Sequence, residues 1–191
     1  GGTTRKAVEE GRADYTPCFF YQVPALFEKE LPVDVALVTV TPPNKDGKVS
    51  LGVSVDYTLA AVRHAKTVIA QVNDQMPFTY GEAVLDVSEI DYFVEHSNPL
   101  IELPAAKLTD IEKAIGANCA SLIQDGDTLQ LGIGAIPDAV LFYLKDKKDL
   151  GIHSEMISDG VVELVEAGVI TGSKKALLPG KIVVNFLMGT K

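Results

Sequence analysis

Residues 33–40 read VDVALVTV, an apolar run rich in valine. Such a run fits a strand buried on both faces, as in a parallel sheet covered by helices. TVIAQV (67–72) is a second strand of this kind, and EAVLDV (82–87) resembles a third. Between the first two, TPPNKDGKVSLGVS holds a proline pair and Asp46-Gly47, which mark a turn. DYTLAAVRHA (56–65) then sets Leu59, Val62 and Ala65 on one helical face. The pattern of buried strand, helix, buried strand predicts an α/β fold with mainly parallel sheets.

SNPLIELPAAKL (97–108) carries two prolines and no period, and reads as a linker. A fresh rhythm follows. Thr109 and Glu112 have the spacing of a capping box, and Ile111, Ile115, Cys119 and Leu122 predict one apolar stripe on the helix they open. Gly126 is expected to end it. TLQLGIG, LGIHSEMIS and KIVVNFLMG read as strands, and IPDAVLFYLK and GVVELVEAG as helices between them. The sequence contains no exact internal repeat and no low-complexity tract.

The net charge of −9 argues against nucleic acid and against anionic membrane surfaces, both of which require clustered Lys and Arg. Cys18 and Cys119 fit no metal or redox spacing. No apolar run is long enough for a transmembrane helix. The expected setting is the cytoplasm. The chain opens on GGTTRKAVEEG without Met and stops at NFLMGTK just after an apolar strand, so a piece of a longer protein is expected.

Three stretches carry chemistry. In LQLGIGAIPDAVL (129–141) a buried strand meets Gly132-x-Gly134 and then a helix with Pro137 in its first turn. Backbone N–H groups at such a turn suit a phosphate or carboxylate, and a tight turn without a ligand fits equally well. Pro137 stands where a dinucleotide fingerprint has its third glycine. In LGIHSEMISDG (150–160) strand alternation puts His153 and Glu155 on one face and Ser154 and Met156 on the other. A carboxylate at a strand exit is a base, a nucleophile or an orienting group, or else a solvated residue. In QVNDQMPFTYGE (71–82) Asn73, Asp74 and Gln75 end a strand before Met76-Pro77, as lining for a site or as an ordinary loop. No second carboxylate, nucleophile elbow or metal-ligand cluster accompanies them.

GVSVDYT (52–58), VNDQMP (72–77), VSEIDYFVE (87–95), LQLGIGAIPDAVL (129–141), LGIHSEMISDGVVELVEAGVI (150–170) and FLMGTK (186–191), in this order, resemble the acetyl-CoA hydrolase/transferase family. The likeness is greatest to its CoA-transferases for 4-hydroxybutyrate, butyrate and acetate. It implies two similar α/β domains with the site between them, here 1–104 and 105–191, each incomplete. It implies Glu155 as the catalytic nucleophile, forming a glutamyl-CoA thioester in ping-pong transfer between an acyl-CoA and a short-chain carboxylate. Gly132, Ile133, Gly134, Ala135 and Ile136 would meet CoA. Asn73, Gln75, Met76 and Pro77 would line the acyl side, and His153 would support them. Coenzyme A is then a substrate, with no cofactor and no metal, and the full-length protein a homo-oligomer. The family's downstream glycine-rich motif of the GGQ type is absent from these residues, so the chain alone is expected to be inactive. Acyl-CoA hydrolysis, sugar-phosphate isomerisation and noncatalytic acyl-CoA binding are the rival readings.

Overall fold

The computed structural model describes residues 2–190. Two helices, α1 (Gly2–Glu9) and α2 (Val23–Glu28), precede β1 (Val35–Val40) and β2 (Lys48–Ser50). Helix α3 (Thr58–His64) leads into β3 (Thr67–Val72), β4 (Val84–Asp86) and β5 (Tyr92–Glu95). The irregular stretch 96–109 separates these from α4 (Asp110–Leu122), β6 (Thr128–Leu129), α5 (Ala135–Phe142) and β7 (Gly151–Ile152). Then come β8 (Met156–Ile157), α6 (Asp159–Glu166) and β9 (Phe186–Leu187).

The expected α/β class with mainly parallel sheets is what the chain forms. β1, β3 and β5 make a parallel sheet in the order β1-β3-β5. β6 pairs with β7, and β8 with β9, also in parallel. The exception is EAVLDV. Only Val84–Asp86 is strand, and it pairs antiparallel with β2, placing the buried Val49 and Leu85 opposite each other. Two apolar clusters lie on either side of the 96–109 stretch. One gathers Val40, Leu59, Val62, Val68, Ala70 and Leu85. The other gathers Leu131, Leu141, Leu144, Ile152, Val161 and Leu164.

Two packing expectations are corrected. β1 is buried on one face only: Ala36 and Val40 are covered, whereas Leu37 is 76% exposed. Leu37 aligns with Ile69 and Tyr92 on the sheet face that the helix α3 does not reach, and nothing among the described residues covers it. The apolar stripe of α4 also faces outward, with Ile111 72% and Leu122 79% exposed and Cys119 exposed. The helix docks through its small residues instead. Gly116 and Ala120 are buried, and a Cβ at Gly116 would stand 2.6 Å from the Ala139 backbone of α5. Close approach of two backbones outweighs burial of a few large side chains. The capping box does form: Glu112 accepts from the Thr109 N–H at 2.8 Å and also from its hydroxyl.

Candidate active site

LGIHSEMIS was expected to be one strand. It is two, because its main-chain pairing with β6 stops midway. β7 runs beside β6 until the His153 N–H donates to the Leu129 carbonyl (3.0 Å). Its other side is held as well, by Val183, whose N–H donates to the Ile152 carbonyl (3.3 Å), and from Ser154 onward this is the side that remains. The Ser154 N–H donates to the Val183 carbonyl (2.9 Å), and the Glu155 carbonyl accepts from Asn185 (2.9 Å) and Phe186 (3.2 Å). β6 and β7 therefore part where a parallel sheet opens at its carboxyl end. The Gly132–Gly134 turn lies on one side of the parting and Glu155 on the other.

Alternation holds through the break. Ser154 and Met156 are buried, and His153 and Glu155 are exposed. Among the described residues the Glu155 carboxylate makes no hydrogen bond or ion pair. Its backbone is fixed while its charged group is free, which is what a reacting group at a strand end requires.

The glycine turn has the conformation its sequence suggests. Gly134 has φ 109°, a region closed to residues with a Cβ, and caps α5. Pro137 carries no N–H, and the Asp138 N–H is used by the Gly134 carbonyl (3.2 Å). The N–H groups of Ala135 and Ile136 are the two that the helix itself leaves over. Gly132, Ile133, Gly134 and Ile136 are exposed and Ala135 is half-buried. The field here is not that of a simple anion site. Asp138 sits in the first turn and accepts from the Ser158 hydroxyl at 3.0 Å, offsetting the helix's positive end. A cavity of about 280 Å³ beside the turn is lined by Ile133, Gly134, Asp138, Asp159 and Glu163, with Lys145 as its cation. Glu155 does not line it. This side suits neutral amide or acyl groups better than phosphate.

The earlier motifs converge on the same strand. Asn185–Leu187 lies between Glu155–Ile157 and the GVSVDYT stretch. The Val55 N–H donates to the Asn185 carbonyl (2.9 Å), the Leu187 N–H to Val53 (2.9 Å), and Ser54 bridges Phe186. Gly52 then lets VNDQMP approach: a Cβ there would meet the Met76 sulfur at 2.2 Å. Met76 is thereby three contacts away from Glu155, through Gly52 and then Asn185–Leu187, while Gln75 and Pro77 are exposed.

Asn73 behaves differently from an open site residue. It is 2% exposed, its Oδ1 accepts from Gln75 (3.0 Å) and Asn98 (3.3 Å), and its Nδ2 donates to the Asn98 carbonyl (3.0 Å). Asp74 accepts from Gln75 Nε2 (2.8 Å), and its carboxyl is held below the usual aspartate range by hydrogen bonds with Gln75 and Ser97.

Three features escaped the sequence reading. Ser154 bonds Leu131 through both its hydroxyl functions. Asp159 accepts from the Thr190 N–H (2.9 Å) and hydroxyl (2.6 Å). Lys175 is buried, its ammonium bonded to the Ile152 (2.8 Å) and Lys181 (2.5 Å) carbonyls, with burial pulling its pKa down. A serine on the buried face of a strand was the one visible signal, since a hydroxyl there must find partners. Among the described residues no group of His, Cys, Asp and Glu is arranged to hold a metal ion, and no helix is long and apolar enough to cross a membrane.

The profile of the acetyl-CoA hydrolase/transferase N-terminal domain matches residues 1–103, more than half of the chain. The 4-hydroxybutyrate coenzyme A transferase of Clostridium kluyveri is 69% identical over the whole chain, which spans 45% of that protein. A crystal structure of 4-hydroxybutyrate CoA-transferase from Porphyromonas gingivalis matches with a TM-score of 0.89 and 47% identity, over 98% of this chain and 48% of that one. RipA from Yersinia pestis matches with a TM-score of 0.92 and 38% identity, over 99% of this chain and 45% of that one. The chain thus spans less than half the length of the relatives it matches, and it belongs to the acetyl-CoA hydrolase/transferase family.

Proposed function

We propose that the protein carrying this chain is a cytoplasmic CoA-transferase that moves CoA between acetyl-, butyryl- or 4-hydroxybutyryl-CoA and a free short-chain carboxylate. The observation that carries the reading is Glu155: an unpaired, exposed carboxylate between β7 and β8, its backbone held by Asn185 and Phe186, across an opening from a glycine turn. Its oxygen attacks the thioester carbonyl, and the CoA thiolate leaves, giving an acyl-glutamyl anhydride. The thiolate then attacks the glutamyl carbonyl. The acyl carboxylate departs and a glutamyl-CoA thioester remains. An incoming carboxylate attacks that thioester, and the returning thiolate takes its acyl group, restoring the Glu155 carboxylate.

The chain's own residues supply position. A carboxylate is a poor nucleophile, and orientation against a bound thioester can be worth roughly 7–11 kcal/mol. In this reading the N–H groups of Ala135 and Ile136 meet the acyl or amide part of acyl-CoA, which agrees with the carboxylates around them. Gly132, Ile133 and Gly134 form the surface it lies on. Met76, with Gln75 and Pro77, borders the acyl side, and His153 flanks Glu155 on the same exposed face. Asn73 serves as a strut. CoA enters as a substrate, and the full-length protein is a homo-oligomer.

Hydrolysis is the second reading, because the family's description names both activities. Labelled acetate separates them. A full-length transferase exchanges label into acetyl-CoA with ping-pong kinetics and releases little free thiol. Rapid thiol release without an acceptor acid, and no exchange, would favour the hydrolase. The 191-residue chain by itself is expected to show no transfer, and measurable turnover by it would overturn that expectation.

A further inference from the structure

Beyond the His153–Leu129 bond, β6 and β7 share no main-chain hydrogen bond among the described residues, although the Leu131 N–H and C=O still face that gap from a residue only 8% exposed. The Ser154 hydroxyl completes the pairing. Its Oγ accepts from the Leu131 N–H at 2.9 Å and donates to the Leu131 carbonyl at 2.9 Å. Only a group that is both donor and acceptor can do this. Ser154 is itself 7% exposed, so water does not substitute for it freely. One side of this clamp continues directly into Gly132–Gly134, and the other into Glu155.

We infer that Ser154 is a positioning residue that sets the separation between the glycine turn and the Glu155 carboxylate. It acts through Leu131 on one side and through its peptide bond to Glu155 on the other. The inference rests on the reading of Glu155 as the nucleophile. A hydroxyl that spans the opening lets the two strands part widely enough to admit a thioester while keeping the parting fixed. Loss of the hydroxyl removes both bonds together, and the turn and the nucleophile then move independently.

The test uses the full-length protein with butyryl-CoA and follows both steady-state transfer and the rate at which the glutamyl-CoA adduct forms. Ser154→Ala is expected to lower kcat and the adduct rate together by about 10- to 10²-fold, since displacements near 1 Å cost that much. The KM for butyryl-CoA should change less than about threefold. Ser154→Cys keeps the shape with a weaker donor and acceptor and should fall between the two. It also keeps the test decisive if the alanine variant does not fold. Wild-type adduct rates in the cysteine variant, or in a folded alanine variant of lowered melting temperature, would make Ser154 a purely structural residue and overturn the inference. So would a raised KM at unchanged kcat. Absence of any adduct in the wild-type protein would instead remove the reading of Glu155 on which the inference stands.

Discussion

Asn73 and Glu155 both lie just past the end of a parallel strand, and both are polar residues at a position where such sheets bind ligands. Their surroundings are opposite. At Asn73 the side chain is buried and its amide oxygen and nitrogen are spent on Gln75 and Asn98. At Glu155 the side chain is free, and it is the main chain that is spent, on Asn185 and Phe186. One residue holds a loop together and the other is held. Position at a strand end therefore does not make a site. What distinguishes the two is which part of the residue the fold has left unused.

The contrast is broken most severely by Glu155→Gln. In the full-length protein transfer should fall at least about 10³-fold, because an amide cannot open the thioester. Stability should shift by less than about 0.5 kcal/mol, as at other exposed positions. Asn73→Ala should do the reverse. It strands the N–H groups of Gln75 and Asn98 and the Asn98 carbonyl, at a cost of about 2–3 kcal/mol visible in the urea midpoint, while the folded enzyme keeps its rate within about threefold. If Asn73→Ala instead abolished transfer at unchanged stability, the division between strut and reacting group would fail.

Gly52→Ala sharpens the contrast from the side of packing. Gly52 has φ 68° and its missing Cβ is what lets Met76 approach. A loss of about 1–2 kcal/mol in denaturant is expected, with a raised KM for the acyl substrate as Met76 shifts. The smallest effect belongs to Lys48→Met, far from either strand end. Lys48 and Asp86 are cross-strand neighbours 2.8 Å apart, and the pair holds the Asp86 carboxyl below its ordinary value of 3.8. A depressed carboxylate adds stability above 3.8 and loses it as the pH falls through the lower folded value. The melting temperature of the wild-type chain should exceed that of Lys48→Met slightly at pH 7, and the difference should shrink below pH 3.8. A difference that grew in acid would contradict the sign.

Apolar runs made the strands at 35–40 and 67–72 legible, although β1 is covered on one face only, and periodicity did the same for the helices at 58–64 and 159–166. It failed where backbone approach overrides side-chain burial, as on α4, where Gly116 and Ala120 dock and Ile111 does not. It also failed at β5, which carries Tyr92, Phe93 and Val94 exposed and shows no alternation to read. At the site, the exposed Glu155 and the glycine turn could be read from alternation and from Gly132-x-Gly134. The loss of β6 at Ser154 could not, since what holds the chain beyond it is residues 183–187, roughly thirty positions away. The spent state of Asn73 was hidden for the same reason: its partners are at Asn98.

The central claim, that Glu155 carries CoA during turnover, is tested most directly by trapping. Full-length protein is incubated with butyryl-CoA, treated with borohydride, and digested, and the peptide containing Glu155 is weighed by mass spectrometry. A glutamyl-CoA thioester is reduced to the alcohol, so the account predicts a lighter Glu155 peptide, dependent on acyl-CoA, with loss of activity. An unchanged Glu155 peptide in protein that stays active after borohydride would contradict it.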